Sequence, residues 1–118
     1  MIREVVTMKE DASIEEACKN LYEKHVGSII ITDKKGQCIG IFTERDAIRV
    51  VARAIPLNST LQEVMTTNVI SIWEEASFAE AKQLFKNFGI RHLPVVDEHK
   101  HVVGILSIRS ILDELLEL

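Results

Sequence analysis

Thr43 and Asp46 stand three residues apart where a helix is predicted to begin, with Glu44 and Arg45 between them. A hydroxyl and a carboxylate at that spacing can do two things. They can cap the helix, each side chain satisfying an orphan backbone amide. Alternatively, the carboxylate can accept hydrogen bonds from both vicinal hydroxyls of a sugar, while the free amides of the helix start attract a phosphate. The uses are compatible, because a hydroxyl at the cap position serves either. Arg91 and His92 form a basic pair just before Pro94 and an apolar run. An arginine grips a phosphate through two parallel N–H bonds and a histidine adds a donor. The plainer reading is an exposed arginine at a strand entry, beside a histidine satisfied by backbone.

Other chemistry is thinly represented. The chain carries no glycine-rich phosphate loop, no Ser-His-Asp set in a recognisable context and no basic aromatic surface. Cys18 and Cys38 form no CxxC pair and have no histidine at zinc-ligand spacing, so they read as small buried hydrophobes rather than a disulfide. His99 and His101 would hold a metal only if a third ligand converged on them, and a solvated turn is the simpler expectation. Trp73 reads as a packing residue with a contact role left open. The expectation is a protein without catalysis, metal or required cofactor.

These residues sit in a chain of 118, of which 47% are apolar and 27% charged, with a net charge of −4. That length suits one compact domain or two small halves sharing a core. The mild acidity gives no general field toward nucleic acid or an anionic membrane, so any anion site must be built locally. Glu4 comes early and no apolar run approaches the roughly 18 residues of a spanning helix, so neither signal peptide nor membrane anchor is expected, and the expected location is cytoplasmic.

The elements that must position Thr43 and Asp46 emerge from an internal repeat. Sliding the chain by 64 residues aligns 5–48 with 69–112 without a gap, and ten of the 44 pairs are identical, among them Ser13/Ser77, Glu16/Glu80, Asp33/Asp97, Gly40/Gly104 and Arg45/Arg109. Each copy reads as strand, helix, strand, strand, helix. In the first, the expected elements are a short strand over 5–7, a helix from the Ser13–Glu16 capping box to about Lys24, a hairpin of strands 28–32 and 38–42 turning at 33–36, and a helix from 43 to 55. In the second they are a strand over 69–71, a capped helix from Ser77 to Phe88 with Gly89 at its end, strands 93–96 and 102–106, and a last helix from Ser107. Thr60 and Glu63 suggest one short capped turn in the connecting stretch. The predicted division is 1–54 for the first repeat, 55–64 for a linker and 65–118 for the second repeat. Two units of about 60 residues, each marginal alone, are expected to share one core about a pseudo-twofold axis, with a ligand cleft where they meet.

Both copies resemble the CBS domain, and the whole chain resembles a stand-alone tandem pair, or Bateman module. The matching residues are Asp11-Ala12-Ser13-Ile14, Gly40 through Asp46, Ile90 through Asp97, and Val103 through Arg109. The implied fold is α+β: two pseudo-twofold-related βαββα repeats, each a three-stranded sheet packed against two helices. The resemblance also implies a regulatory module that binds an adenosyl compound, such as AMP, ADP, ATP, S-adenosylmethionine or NAD, and passes its occupancy to a partner protein, as in energy sensing. A structural module with an empty cleft is the alternative.

By the same resemblance, Thr43 and Asp46 hold the phosphate side and the ribose hydroxyls, Arg45 reaches toward phosphate, and Arg91, His92 and Pro94 lie beside the phosphates. Adenine is expected on a short strand over Thr67, Asn68, Val69 and Ile70. A weaker second site would draw on Thr7, Gly27, Ser28, Ser107, Arg109 and Ser110. There Ser110 replaces the aspartate, losing a charge-assisted bond and about tenfold in affinity. Finally, the apolar residues of helix 43–55 (Ala47, Ile48, Val50, Val51, Ala52, Ala54, Ile55) cover about 200° of arc, more than one core stripe needs. The last helix, with Ile108, Ile111, Leu112, Leu115, Leu116 and Leu118, is similarly wide, and a homodimer is expected.

Overall fold

The computed structural model describes residues 5–108. Arg109, Ser110 and the rest of the expected last helix lie outside these residues. The chain divides into two compact units, 6–69 and, among the described residues, Val5 with 70–108.

In the first unit the chain forms β1 (Thr7–Lys9), α1 (Ile14–Lys24), β2 (Ser28–Thr32), β3 (Cys38–Thr43), α2 (Glu44–Ala52) and the single turn α3 (Leu61–Val64). The sheet order is β1-β2-β3, with β1 parallel to β2 (Thr7 opposite Ile30) and β2 antiparallel to β3 (Ile30 opposite Ile41). A parallel pair needs a crossover, and α1 supplies it. Its spacing places Ile14, Ala17 and Leu21 on one stripe, buried against Ile29 and Ile31 of β2 and Phe42 of β3. Val50 of α2 with Leu61 and Val64 of α3 close the same core. Each large aliphatic side chain so buried contributes about 1.5–3 kcal/mol. Cys18 and Cys38 are free and half-buried, and burial pushes both thiols up from their ordinary pKa.

Helix ends follow the cap residues. Ser13 Oγ accepts the Glu16 N–H at 3.1 Å, and Ser77 Oγ accepts the Glu80 N–H at 3.1 Å. The free amides of Ile14 and Glu15 donate to the carbonyls of Ser59 and Leu57, while those of Leu61 and Gln62 donate to Ala12 and Glu10. The starts of α1 and α3 therefore satisfy each other's neighbouring strands of backbone.

The second unit repeats the plan with β4 (Ile72–Trp73), α4 (Phe78–Phe88), β5 (His92–Val96) and β6 (Val102–Ser107), in sheet order β4-β5-β6. Its core is Ile72, Ala81, Phe85, Leu93 and Val95. Both hairpins slip register at the same place, between Ile31 and Thr32 and between Val95 and Val96. Both turns are closed by an aspartate: Asp33 Oδ1 accepts the amides of Lys35 and Gln37, and Asp97 Oδ1 those of His99 and His101, all at 2.8–3.0 Å.

Three elements differ from expectation by more than one residue. The first strand is Thr7–Lys9 rather than 5–7, and its counterpart is Ile72–Trp73 rather than 69–71, because pairing with β2 and β5 decides where these short segments become strands. The helix expected to reach residue 55 ends at Ala52: Ala54 turns left-handed at φ 53° and the Ile55 N–H closes back on the Val50 carbonyl at 3.0 Å. Among the described residues no helix is long and apolar enough to cross a membrane.

Candidate functional site

The end of β3 delivers Thr43 in extended backbone, and α2 starts at the next residue. Glu44 N–H donates to the Gly27 carbonyl at 3.1 Å, which pins the helix start to the residue before β2. Thr43 and Asp46 form a full capping box: Thr43 Oγ1 accepts the Asp46 N–H at 3.3 Å, and Asp46 Oδ2 accepts the Thr43 N–H at 2.9 Å. The Thr43 hydroxyl also donates to Asp46 Oδ2 at 3.1 Å. The cap and the hydroxyl–carboxylate pair are thus one arrangement.

Asp46 is only 6% exposed. A buried carboxylate is costly unless its oxygens are satisfied, and two residues that the spacing argument passed over complete the set. Arg49 Nη2 lies 3.2 Å from Asp46 Oδ1, and the Thr66 hydroxyl donates to the same oxygen at 3.3 Å. Arg49 also donates to the Val64 carbonyl at 2.6 Å, tying α2 to α3. Arg49 was discoverable, since a residue three positions along a helix shares its face. Thr66, twenty positions away, gives no local signal.

Thr66 is held by a two-bond bridge to Ile41, its N–H donating at 2.9 Å and its carbonyl accepting at 3.0 Å. Gly40 permits the approach: a Cβ there would stand 2.5 Å from Met65 Sδ. The missing side chain lets residues 65–66 lie along β3.

The other expected residues are placed as follows. Arg45 is exposed on the first turn of α2. Thr67, Asn68, Val69 and Ile70 are not the short strand expected for them. They form an irregular stretch in which Asn68 is left-handed at φ 54°, incompatible with a continuous strand. Thr7 is exposed on β1, Gly27 is half-buried and Ser28 is buried opposite Thr43. In the second unit Arg91 is exposed, and its carbonyl accepts the Ile108 N–H at 3.1 Å, the counterpart of the Gly27–Glu44 bond. His92 is half-buried at the start of β5, Pro94 is buried within it, and Ser107 is half-buried at the end of β6. The structure therefore brings Thr43, Asp46, Arg49 and Thr66 together in the first unit.

The histidine turn gathers no metal set. His99 pairs with Glu98 at 3.4 Å and His101 with Asp97 at 3.8 Å, and among the described residues no three such side chains converge. Trp73, on β4, is 42% exposed.

Comparison with known proteins gives the arrangement its setting. The model of the CBS domain matches residues 1–53 and again 61–117. An uncharacterized 17.7 kDa protein from Acidianus ambivalens is 31% identical over 113 residues, 96% of this chain and 68% of that protein. Other relatives are longer. The chain spans 20% of L-aspartate semialdehyde sulfurtransferase from Methanocaldococcus jannaschii, at 33% identity over 90% of this chain. Among solved structures, a CBS domain protein from Pyrobaculum aerophilum complexed with AMP superposes with a TM-score of 0.87 at 27% identity, covering 100% of this chain and 95% of that one. A CBS domain pair in complex with 5′-methylthioadenosine and S-adenosyl-L-methionine gives 0.88 at 29% identity, covering 97% and 90%. A repeat legible at 64-residue spacing, two sheets of the same order and two matches to one domain model have a single explanation: the chain belongs to the CBS domain family, as a tandem pair.

Proposed function

We propose that this chain is a non-catalytic regulatory module that binds an adenosyl ligand, with AMP, ADP or ATP as the preferred class, and transmits its occupancy to a partner protein. The observation that carries the reading is the buried Asp46 carboxylate beside the Thr43 hydroxyl at the start of a nine-residue helix. That arrangement presents a carboxylate to a ribose diol that displaces one of its internal donors, and the positive end of a helix to a phosphate. The complexes of similar proteins with AMP and with S-adenosyl-L-methionine support the adenosyl class. Arg91 and His92 are proposed for the phosphates on grounds of charge, and Thr67, Asn68, Val69 and Ile70 for the base. Arg45 is a secondary phosphate candidate. The proposed second site, with Ser110 in place of aspartate, binds more weakly.

The test is a thermal-shift and calorimetric series with AMP, ADP, ATP, S-adenosylmethionine, NAD and guanine nucleotides. Ligand at 100 times its dissociation constant adds about 2.7 kcal/mol, roughly 10 °C for a domain of about 100 residues. The expected outcome is a shift with adenosyl compounds alone. It falls about tenfold or more in affinity in Asp46→Ala and persists in Ser110→Ala. One observation favours a second reading, a structural module without ligand: the capping box and Arg49 already satisfy Asp46 from within the chain. Unchanged melting at saturating concentrations of every nucleotide would establish that reading instead.

A further inference from the structure

Both oxygens of the Asp46 carboxylate are engaged from within the chain. Three hydrogen bonds reach the carboxylate, from the Thr43 N–H and hydroxyl on Oδ2 and from the Thr66 hydroxyl on Oδ1, and the Arg49 guanidinium stands 3.2 Å from Oδ1. The two oxygens are not equivalent. Oδ2 is engaged by the helix cap: its 2.9 Å amide bond cannot be broken without opening the start of α2, and the Thr43 hydroxyl that shares this oxygen is itself held by the Asp46 N–H. On Oδ1 the contacts stand at 3.3 and 3.2 Å, long for an O–H donor and for a charge-assisted N–H donor. Both Oδ1 donors also have somewhere else to go. Thr66 is exposed, so water can take its hydroxyl, and Arg49 keeps its 2.6 Å bond to the Val64 carbonyl.

We infer that a ligand hydroxyl gains Asp46 by displacing Thr66, so that Thr66 is an internal competitor which sets affinity and is released from α2 when ligand binds. The inference rests on the adenosyl reading above and adds its regulation. Thr66 is the residue that the Ile41 bridge and the Asp46 bond both hold, three positions before the first unit ends. Occupancy at Asp46 therefore removes one of the two ties on the stretch that leads into the second repeat.

A competitor and a ligand contact respond to mutation with opposite sign, and this makes the test. Calorimetric titration of the full chain with AMP and with its 2′,3′-dideoxy analogue would compare wild type, Thr66→Val and Thr66→Ser. The expected result is that Thr66→Val binds AMP about three- to tenfold more tightly, the equivalent of one hydrogen bond no longer displaced. Thr66→Ser, which restores the hydroxyl, stays at the wild-type value, and the gain vanishes with the dideoxy analogue. Thr66→Ala removes the same hydroxyl without a branched side chain and gives the same result if Val at this position disturbs folding. AMP affinity unchanged or lowered in both Val and Ala variants, or a gain equally large for the dideoxy analogue, overturns the displacement and leaves the adenosyl reading standing. No binding of AMP, ADP, ATP, S-adenosylmethionine or NAD by wild type or any variant overturns both.

Discussion

At the scale of single residues, the aspartates divide by what satisfies them. Asp46 is satisfied by side chains and a helix cap, whereas Asp33 and Asp97 are satisfied mainly by turn amides. The Gln37 amide, joined by that of Lys35, holds the Asp33 carboxyl below the usual carboxylate range, and the His101 and His99 amides do the same for Asp97. A folded pKa below the unfolded value of about 3.9 means that each turn's contribution is complete above that value and is lost as pH falls through the folded value. Melting temperature should therefore drop below about pH 4. Asn at both positions keeps the Oδ1 acceptor without the titration, so the Asp33→Asn, Asp97→Asn double variant should show a flatter acid limb between about pH 5 and pH 2, followed by circular dichroism. At this scale the sequence disclosed half of the Asp46 cluster. Thr43 and Asp46 carry a spacing signature, but the bond from Thr66 depends on a close approach across β3 that only the fold creates.

At the scale of elements, the repeat shows how one backbone plan accommodates two side-chain solutions. Two left-handed positions recur in both units, the residue after the first helix and the fourth of the hairpin turn. The first unit has His25 at φ 54° and Gly36 at φ 82°; the second has Gly89 at φ 60° and Lys100 at φ 64°. Each copy thus places glycine at one position and a residue with a Cβ at the other, where that Cβ costs about 1 kcal/mol. His25→Gly and Lys100→Gly should each raise the melting temperature by a few degrees. Gly89→Ala should lower it by a similar amount through backbone strain alone, since nothing lies within 4 Å of a Cβ built there. Differential scanning calorimetry reads all three. Gly89 was legible as a helix stop, but His25 was not, because nothing in its type requires a left-handed backbone. Helices and hairpins were readable because caps, periodicity and turn residues are local. The short strands β1 and β4 were misplaced by two or three residues because their ends are set by partners in β2 and β5.

At the scale of the whole molecule, α2 turns one face to the core through Val50 and leaves another uncovered: Ile48 is 68% and Val51 78% exposed, and with Ala47 and Ala52 they form an apolar patch. Self-association through this face is the reading we propose for it, continuing the broad apolar arc seen in the sequence. Val51→Lys should move the sedimentation profile from dimer to monomer at micromolar concentration with the fold intact, because the residue contributes little to its own unit's core; a wild-type profile that is already monomeric removes the proposal. The reciprocal amides at the starts of α1 and α3 have a different consequence, for how such a chain can be cut and copied. A fragment ending at residue 54 would leave the amides of Ile14 and Glu15 without the carbonyls of Ser59 and Leu57 and would strip Leu61 and Val64 from the core. The compact unit is 6–69, longer than the secondary structure of one repeat. Any duplication or transplant of the first repeat must therefore carry the connecting stretch along as part of the cargo.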